Sequence, residues 1–398
     1  MHWAQNWNEK ILCRKMVMKT AFMAANKIVN KKESKAFAIG SNRKGNVKMS
    51  IPVFEKFSDI KVGVIGYGAN CEMGKKHLTS IASLEMKPEA VVDSDTERLK
   101  IARDDFPCIE IYTTVDDMLA NSSVNLVIII TPHNTHKTLA LQCLKAGKHV
   151  ICEKPFAILT EECDEVIAEA KKRNLLVTTY HNRHWDGIIV EAVRRIKKEN
   201  AIGEIVRLEG HAGRRVEKLN NTWRESKSIS GGITYDWGVH LIEWSLQLVD
   251  ADVKEVSGYS HKGYLAAESK WKDDSCEDDC TVLVRFDNDV WLNLSVTRID
   301  SYPKMPKRGF IEITGTEGTY IMGPYVNKIV RIKDGEEVVE SIKVPSNQWD
   351  KFYENILDYL ITGAPLTITP EWARRTIHIL DLANKSAARG VAMKTKYN

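Results

Sequence analysis

The sequence predicts an α/β fold class, with an N-terminal doubly wound parallel sheet and a C-terminal α+β domain built on a large, mostly antiparallel sheet. Three observations predict this architecture. Six short apolar runs alternate with helical patterns over residues 61–180, the order typical of parallel strands joined by right-handed crossovers. The run 126–131 is apolar, as in a strand buried on both faces. Beyond residue 250, successive apolar runs are joined by turn residues such as Asp334-Gly335, a strong hairpin signal.

Each strand of the first half is predicted from a short run of β-branched and aliphatic residues. These strands are expected at residues 61–66, 90–93, 109–112, 126–131, 149–152 and 176–180. The intervening helices are expected at residues 75–84, 95–102, 114–119 and 135–146, with a further helix from residue 160. Ser94 or Asp95 and Thr114 suit N-cap positions, and Gly147 suits the position just after a helix. This alternation is what predicts parallel pairing.

The second half has the pattern of an antiparallel sheet with helices on one face. Strands are expected at residues 202–210, 253–259, 281–286, 290–297, 310–314, 328–332 and 338–342. Helices are expected at residues 187–198, 233–248 and 369–389. Thr369-Pro370 suits the start of the last helix, and Gly390 suits its end. The open face of such a sheet often forms a subunit interface.

Composition excludes several classes of protein. The chain has 398 residues, 43% of them hydrophobic and 28% charged, which is typical of a soluble globular protein with two or three domains. Residues 1–48 hold eleven Lys or Arg and two acids, whereas the remainder is mildly acidic, so no nucleic-acid partner is predicted. The longest aliphatic run, residues 126–130, is too short to cross a bilayer, so no membrane partner is predicted either. Eight scattered cysteines indicate reduced thiols and a cytoplasmic location.

The basic N-terminal extension, residues 1–55, allows three interpretations. It is a start-site artefact or a disordered arm, an arm packed on the body, or a targeting segment. Cys276 and Cys280 flank an acidic stretch, but no second Cys or His pair lies nearby. Because zinc normally takes four ligands, a structural role is favoured for these two cysteines and no metal is predicted.

The turn after the first predicted strand contains Gly66, Tyr67, Gly68 and Gly74. Glycines in such a turn let the backbone approach a pyrophosphate at a helix N-terminus, although this spacing differs from the standard G-x-G-x-x-G. Asp93 ends the second predicted strand, 19 residues after Gly74, where a carboxylate binds ribose hydroxyls and repels a 2′-phosphate. The alternative for Asp93 is a simple helix cap. The context predicts a Rossmann domain that binds NAD, with NADP less favoured.

Three further segments carry a specific resemblance. They are residues 131–136 (TPHNTH), 147–155 (GKHVICEKP) and 231–240 (GGITYDWGVH). In this order and spacing, over roughly residues 60–390, the chain resembles the Gfo/Idh/MocA oxidoreductase family (glucose–fructose oxidoreductase, inositol dehydrogenase and relatives). The resemblance implies an NAD(P)-binding Rossmann domain over residues 56–181. It implies a substrate-binding and oligomerisation domain over residues 182–398, with C-terminal helices, and homodimers or homotetramers.

Three residues form the predicted catalytic constellation. Lys154 ends a parallel strand at its carboxyl edge, where such sheets bind ligands, and its ammonium group can stabilise a developing alkoxide. Asp236 and His240 are four residues apart, so on a helix they would point toward the same spot. His240 is the predicted general base, and Asp236 would orient it or bind substrate. A structural hydrogen bond is the alternative, and the family resemblance favours catalysis.

Other candidate residues are assigned by position and by the resemblance. The cofactor-binding candidates in the second and third motif loops are Thr131, Pro132, His133, His136, Glu153 and Lys154. For His136 the alternative is a helix-capping or packing histidine. The substrate-binding candidates are His181, Arg183, Trp223 and Arg224. For the first two the alternative is a structural salt bridge, and for the last two it is a subunit contact.

The leading hypothesis is an NAD-dependent dehydrogenase that acts on a secondary hydroxyl of a sugar, polyol or inositol, or reduces the ketone. A second hypothesis is a redox-assisted glycosidase or lyase on the same scaffold, which requires the same residues. A third is a non-catalytic NAD-binding regulator. Such a regulator is expected to lack Lys154 or His240, and both are present.

Overall fold

A computed structural model describes residues 53–68, 72–300 and 310–397. By its internal contacts the chain divides into two units. The first holds the residues up to 130 together with 142–151 and 353–367, and the second holds 131–141, 152–352 and those from 368 onward. Apart from 53–55, the predicted N-terminal extension lies outside the described residues, and its three interpretations stay predictions, as does the domain boundary at 181.

The predicted parallel sheet is present with six strands. They are β1 (Lys61–Ile65), β2 (Lys87–Val92), β3 (Glu110–Tyr112), β4 (Leu126–Ile129), β5 (His149–Cys152) and β6 (Val177–Thr179). Their order is β3-β2-β1-β4-β5-β6, and β1 pairs in parallel with both β2 and β4. All four side chains of β4 are buried, as its apolar run predicts. The strand order reverses direction between β1 and β4, which in open α/β sheets is where ligands bind.

Helices alternate with these strands as predicted. They are α1 (Met73–Ser83), α2 (Thr96–Asp105), α3 (Val115–Asn121), α4 (His136–Lys145) and α5 (Thr160–Arg173). Asp95 caps α2 by accepting a hydrogen bond from the backbone N–H of Glu97, and Thr114 caps α3 in the same way from Asp117. The capping chemistry therefore places these helix starts to within a residue.

The second sheet has nine strands. They are β7 (Ile205–Gly213), β8 (Val253–His261), β9 (Asp279–Phe286), β10 (Trp291–Thr297), β11 (Ile311–Gly315), β12 (Thr319–Met322), β13 (Asn327–Lys333), β14 (Glu336–Ser341) and β15 (Met393–Lys394). Their order is β14-β13-β12-β11-β7-β10-β9-β8-β15, and β7 with β10 is a parallel pair in an otherwise antiparallel sheet. Asp334 and Gly335 both have positive φ, as the type I′ turn between β13 and β14 requires.

The helices of the second half depart from prediction at several places. They are α6 (Gly187–Val193), α7 (Lys227–Ser230), α8 (Gly238–Leu248), α9 (Asp350–Thr362) and α10 (Pro370–Arg389). The predicted helix 233–248 begins only at Gly238, after a separate 3₁₀ turn over Ile233–Tyr235. Gly231 and Gly232 precede that turn with φ near +88° and +116°. Helices α7 and α9 were not predicted at all.

The cysteines also depart from prediction at one position. Five cysteines among the described residues are free and buried, namely Cys143, Cys152, Cys163, Cys276 and Cys280. Burial raises the pKa of Cys143 to about 12, so this thiol stays protonated. Cys108 instead is exposed and disulfide-bonded, against the expectation of reduced thiols throughout. The five free thiols are shielded by the core.

None of the helices in the described part of the chain is long and apolar enough to cross a bilayer.

Candidate functional site

The glycine turn is tied to the end of β2 by its backbone. The N–H of Gly66 donates to the carbonyl of Val92 at 2.8 Å, and the N–H of Tyr67 donates to Oδ2 of Asp93 at 2.7 Å. Oδ1 of Asp93 accepts the N–H of Asp95 at 2.9 Å. Asp93 is 6% exposed, so this carboxylate shapes the turn in addition to any contact with a ligand. Residues 69–71 of the turn lie outside the described residues.

A glycine is required at position 74 for a steric reason that the spacing of the motif did not reveal. A Cβ at Gly74 would lie 2.5 Å from Cδ2 of Tyr67, so the glycine makes room for that ring at the start of α1. The Tyr67 hydroxyl donates to Asp105 at 2.9 Å, and Nζ of Lys75 binds the same carboxylate at 2.6 Å. Burial and Asp105 raise the pKa of Tyr67, which keeps the phenol protonated as a donor. These contacts hold the first turn of α1.

A cation lies beside the carboxylate that ends β2. Among the described residues, a Cβ at Gly68 would meet nothing nearer than Nη1 of Arg98 at 4.0 Å. Arg98 also lies 3.6 Å from Oδ2 of Asp93 and 3.4 Å from Asp95. A cation beside Asp93 offsets part of the negative charge that would repel a 2′-phosphate.

Lys154 and Asp236 form an ion pair at the end of β5. Nζ of Lys154 donates to Oδ1 of Asp236 at 2.7 Å and to the backbone carbonyl of the same residue at 3.1 Å. The Lys154 side chain is 20% exposed and that of Asp236 is 54% exposed. The charge of Lys154 lowers the pKa of Asp236 against the opposing effect of burial, so the carboxylate stays ionised. The ammonium group is thus held by two oxygens and keeps a third hydrogen for another acceptor.

His240 lies in the first turn of α8, and Asp236 precedes that helix. The predicted single helix over both residues is therefore not present, since a separate 3₁₀ turn over Ile233–Tyr235 comes before Asp236 and α8 begins at Gly238. His240 is 5% exposed. Burial lowers the pKa of His240 well below its ordinary value, and the charges of Lys154 and Arg183 lower it further. The imidazole is consequently neutral at neutral pH and able to accept a proton.

Arg183 is held between aromatic rings. Its guanidinium carbon lies 4.7 Å from the centroid of Trp237 and 5.8 Å from that of Trp349. Nη1 of Arg183 binds Asp186 at 2.9 Å, and Trp237 stacks on Phe310 at 5.1 Å. The salt bridge that the sequence left open as an alternative is therefore present, and it positions a cation near His240.

The loop before α7 folds against the motif at 131–136. The ring of Trp223 meets that of His133 edge-on at 4.7 Å, and the guanidinium of Arg224 lies 4.4 Å above Trp223. Nδ1 of His133 lies 2.8 Å from the carbonyl of Ser230. Burial lowers the pKa of His133 well below its ordinary value, and the Arg224 charge contributes to the lowered pKa of Asp236. The predicted residues Trp223, Arg224 and His133 thus form one cluster on the side of Asp236.

His136 has the packing role that the sequence left open as the alternative. It is fully buried, with Nδ1 at 2.8 Å from the carbonyl of Pro155 and Nε2 at 3.0 Å from that of Thr131. Burial lowers its pKa, so the ring is neutral and has one hydrogen to share between the two carbonyls. Both nitrogens face protein backbone, which places His136 as a link between two motif loops and outside the cofactor contacts that we propose below.

The remaining predicted motif residues shape their loops. Oε2 of Glu153 accepts the backbone N–H of Lys154 at 2.9 Å, and the Thr131 hydroxyl lies 2.6 Å from that of Thr135. The carbonyl of Pro132 accepts both the N–H and the hydroxyl of Thr135. Each of these contacts joins two residues of the same loop.

One group of supporting residues was missed by sequence reasoning. Glu243 is 1% exposed and accepts hydrogen bonds from Nδ1 of His184 at 2.6 Å and from Nε1 of Trp372 at 3.0 Å. Burial raises the pKa of Glu243, but His184 and its other donors lower it further than burial raises it. A signal was available, because Glu243 is the one acid in the apolar helix α8 and lies three residues after His240. A lone acid in such a helix requires buried partners.

Within the second unit, the arrangement joins a charged ammonium group, an ionised carboxylate and a neutral imidazole. The ammonium group can donate to an oxygen that gains negative charge, and the imidazole can accept the proton that this oxygen loses. Among the described residues there is no cluster of His, Cys, Asp or Glu with the arrangement of a metal site.

Comparison with known proteins identifies the family. Residues 60–181 match the oxidoreductase family with an NAD-binding Rossmann fold, and residues 195–395 match the C-terminal alpha/beta domain of the same family. An uncharacterized oxidoreductase of Schizosaccharomyces pombe is 39% identical over 147 residues, which are 37% of this chain and 40% of that one. The scyllo-inositol 2-dehydrogenase (NADP(+)) IolW of Bacillus subtilis is 30% identical over 193 residues, which are 48% of this chain and 52% of that one.

A solved structure agrees with these matches. The NAD-binding protein from Listeria innocua superposes with a TM-score of 0.73 at 26% identity, over 85% of this chain and 97% of that one. The alignments to the first curated relatives span about half of their length. The two family matches together cover most of the chain in the correct order. The chain therefore belongs to the Gfo/Idh/MocA family of NAD-binding oxidoreductases.

Proposed function

We propose that this protein is an NAD-dependent dehydrogenase that oxidises a secondary hydroxyl of a sugar, polyol or inositol, or reduces the corresponding ketone. One observation carries the proposal: Nζ of Lys154 donates to Oδ1 of Asp236 at 2.7 Å, and the charge of Lys154 adds to the effect of burial in lowering the pKa of His240. This combination suits the removal of a proton from an alcohol, because one group accepts the proton while the other stabilises the remaining oxygen.

In the proposed reaction His240 accepts the hydroxyl proton of the substrate. Lys154 donates a hydrogen bond to the same oxygen as it becomes an alkoxide, and Asp236 holds the ammonium group in place. When bound, a nicotinamide would supply the hydride chemistry, as acceptor for the hydrogen and electron pair that leave the carbinol carbon. In the reverse direction, protonated His240 returns the proton to the ketone oxygen.

The proposed cofactor site uses the turn after β1, that is Gly66, Tyr67, Gly68 and Gly74, together with Asp93. Thr131, Pro132, His133, Glu153 and Lys154 are proposed as further cofactor contacts on the basis of the family resemblance. We propose NAD as the preferred form because Asp93 carries a negative charge at the end of β2. The curated relative from Bacillus subtilis is named as an NADP(+) enzyme, and Arg98 lies beside Asp93, so the first experiment measures both cofactors.

The substrate class follows from the polar groups around Lys154. We propose that His181, Arg183, Trp223 and Arg224 contact the substrate, with aromatic rings for the apolar faces of a sugar ring and Arg and His for its hydroxyls. The name of the Bacillus subtilis relative, a scyllo-inositol 2-dehydrogenase, supports a cyclic polyol as the first substrate to measure.

The second sheet is the proposed contact between subunits. Exposed apolar side chains lie on its strands, namely Val206, Tyr259, Ile332, Val338 and Val339. Burial of such side chains against a second copy would favour a homodimer or homotetramer. We further propose the cytoplasm as the location, which the five free thiols support and the disulfide at Cys108 does not.

The first experiment is NADH and NADPH formation, followed by absorbance, over a panel of inositols, aldoses, sugar acids and glycosides. We expect turnover by the wild-type protein, a loss of about 10²–10³-fold for Lys154→Ala, and a loss of about 10²–10⁴-fold for His240→Ala. Lys137→Ala removes a lysine paired with Glu165 on the surface and is the matched control, with unchanged turnover.

Full turnover by Lys154→Ala would contradict the proposed mechanism. Cleavage of a glycoside without net NADH would replace the proposal with the redox-assisted glycosidase or lyase. Tight NAD binding, measured by fluorescence of the reduced form, without turnover of any compound would favour the regulator.

A further inference from the structure

His181 is a buried histidine whose ring nitrogens have no hydrogen-bond partner among the described residues. It lies two residues after the end of β6 and is 1% exposed. Neither Nδ1 nor Nε2 has a hydrogen-bond partner within the described ranges 53–68, 72–300 and 310–397. Because most buried side-chain nitrogens and oxygens in folded proteins are paired, this residue requires an explanation.

The ring lies beside the proposed proton acceptor. Its centroid is 6.4 Å from that of His240, and the two rings are nearly perpendicular. Burial lowers the pKa of His181 to about 4, with a smaller contribution from the charge of Lys154 and an opposing one from Glu243. His181 is therefore neutral at neutral pH, with one nitrogen as a donor and the other as an acceptor.

Another buried histidine of this protein provides the contrast. His378 is 5% exposed and burial also lowers its pKa to about 4. Its two nitrogens, however, lie 3.1 Å from the Thr160 hydroxyl and 3.0 Å from the Thr395 hydroxyl. The fold thus pairs a neutral buried imidazole with two hydroxyls where the role is structural, and it leaves His181 without such partners.

We propose that His181 binds a second hydroxyl of the substrate, adjacent to the hydroxyl whose proton His240 accepts. The proposal rests on the proposed function and adds that the substrate carries two neighbouring hydroxyls. A hydroxyl both donates and accepts, so it suits a neutral imidazole in either tautomer, whereas a carboxylate or phosphate would require the donor form alone. The short separation of the two histidine rings suits hydroxyls on adjacent carbons.

The first test is stability without ligand, and it needs no turnover. His181→Leu removes two unpaired nitrogens and keeps an apolar side chain of similar size, so we expect its Tm to equal or exceed that of the wild type. His378→Leu is the matched control. It removes one hydrogen bond from each of the Thr160 and Thr395 hydroxyls, and we expect its Tm to fall. A fall of Tm in His181→Leu as large as that in His378→Leu would mean that His181 has structural partners and would overturn the proposal.

The second test is kinetic, with the best polyol of the panel and its deoxy analogue that lacks the neighbouring hydroxyl. For His181→Leu we expect KM for the polyol to rise roughly tenfold to a hundredfold, with a smaller change in kcat. For the wild type, KM for the deoxy analogue should exceed KM for the polyol by about the same factor. The variant should have similar KM values for the two compounds. NADH affinity, measured by fluorescence, should be unchanged in both histidine variants.

The outcomes separate this proposal from the proposed function. If His181→Leu distinguishes the polyol from its deoxy analogue as well as the wild type does, the proposal is wrong while the dehydrogenase stands. If no polyol is turned over, the proposed function fails. The change in Tm on addition of scyllo-inositol then decides whether His181 binds a hydroxyl. A shift in the wild type that disappears in His181→Leu supports hydroxyl binding, and equal or absent shifts in both overturn it.

Discussion

The charge of Lys154 acts on several polar side chains of the second unit at once. It holds Asp236 ionised through a direct bond, and it lowers the pKa of His240 and of His181 through space. Burial is the main cause of the lowered pKa of both imidazoles, and the charge of Lys154 adds to it, while the same charge keeps the Asp236 carboxylate ionised. Such a separation of protonation states between neighbouring groups is the arrangement that general acid–base chemistry requires.

At the residue scale, the pH profile of oxidation follows from this electrostatic coupling. Because the pKa of His240 lies well below its ordinary value, kcat/KM for NADH formation should stay constant as the pH falls through the range where an exposed histidine is protonated. Arg183→Gln removes one of the charges that lower this pKa. The pKa of His240 should therefore rise, and the acidic limb of the profile should move to higher pH.

The measurement is kcat/KM against pH for the wild type and Arg183→Gln. Arg207→Gln, on the second sheet and paired with Glu209, is the control and should keep the wild-type profile. An acidic limb at the same pH in Arg183→Gln would show that the charge of Arg183 does not reach the proton acceptor.

At the element scale, the start of helix α1 depends on the packing of one ring against one glycine. Gly74→Ala would place a Cβ 2.5 Å from the Tyr67 ring, which Asp105 and the buried surroundings hold in place. We expect a loss of about 1–3 kcal/mol in the free energy of unfolding, typical of overpacking. NADH affinity should fall as well, because the displaced ring belongs to the glycine turn.

A double-mutant cycle checks the cause. In a Tyr67→Leu background the additional cost of Gly74→Ala should be much smaller, because the aromatic ring is no longer there. Gly68→Ala is the matched control, since among the described residues its Cβ would meet no atom closer than 4.0 Å, and its Tm should stay close to that of the wild type. An equal cost of Gly74→Ala in both backgrounds would contradict the steric explanation.

At the scale of the whole molecule, buried neutral histidines predict sensitivity to acid. Burial lowers the pKa of His149, His181 and His378 to about 4, from an ordinary value of 6.5. The unfolded chain binds protons at these residues below pH 6.5 and the folded protein does not. These residues therefore make their whole contribution to the free energy of unfolding above pH 6.5. That contribution falls between pH 6.5 and about 4, by up to about 1.4 kcal/mol per pH unit for each residue.

The test compares urea unfolding of the wild type and His149→Phe between pH 8 and pH 4.5. His149 packs edge-on against Phe54 at 5.8 Å, so a phenyl ring retains the aromatic contact and removes the titrating group. Between pH 6.5 and 4.5 the variant should lose less stability per pH unit than the wild type, while the difference between the two proteins stays constant above pH 7. Parallel curves over the whole range would contradict this account of acid sensitivity.

Much of the fold could be predicted from local pattern. Strands β1 to β6 are short runs of β-branched and aliphatic residues, and caps such as Asp95 and Thr114 place the helices between them. Strand β12 and helix α9 are among the elements that were not predicted. Strand β12 has four residues in a Gly-flanked stretch, too few for a period-2 signal, whereas the buried residues of α9, Phe352, Tyr353, Ile356, Leu357 and Leu360, do have helical spacing.

The sequence predicted which residues belong to the candidate site, but it predicted only part of how they are arranged in space. Lys154, Asp236 and His240 come from motifs with recognisable spacing, and the structure joins Lys154 to Asp236 directly. The helix expected to include both Asp236 and His240 begins only at Gly238, after a separate 3₁₀ turn over Ile233–Tyr235. Spacing predicts which side chains share a helix face only if the helix already includes both.

The sequence by itself determined the fold class, the family and the residue types that carry the proposed chemistry, because these depend on local periodicity, capping and short motifs. Only the tertiary structure decided how each candidate is used. It engaged both nitrogens of His136 with backbone carbonyls, placed Arg183 between two indoles, and left the buried ring of His181 without a partner among the described residues. The physical reason is that burial and hydrogen-bond pairing depend on residues far apart in the chain, and these contacts set the protonation state and availability of each side chain.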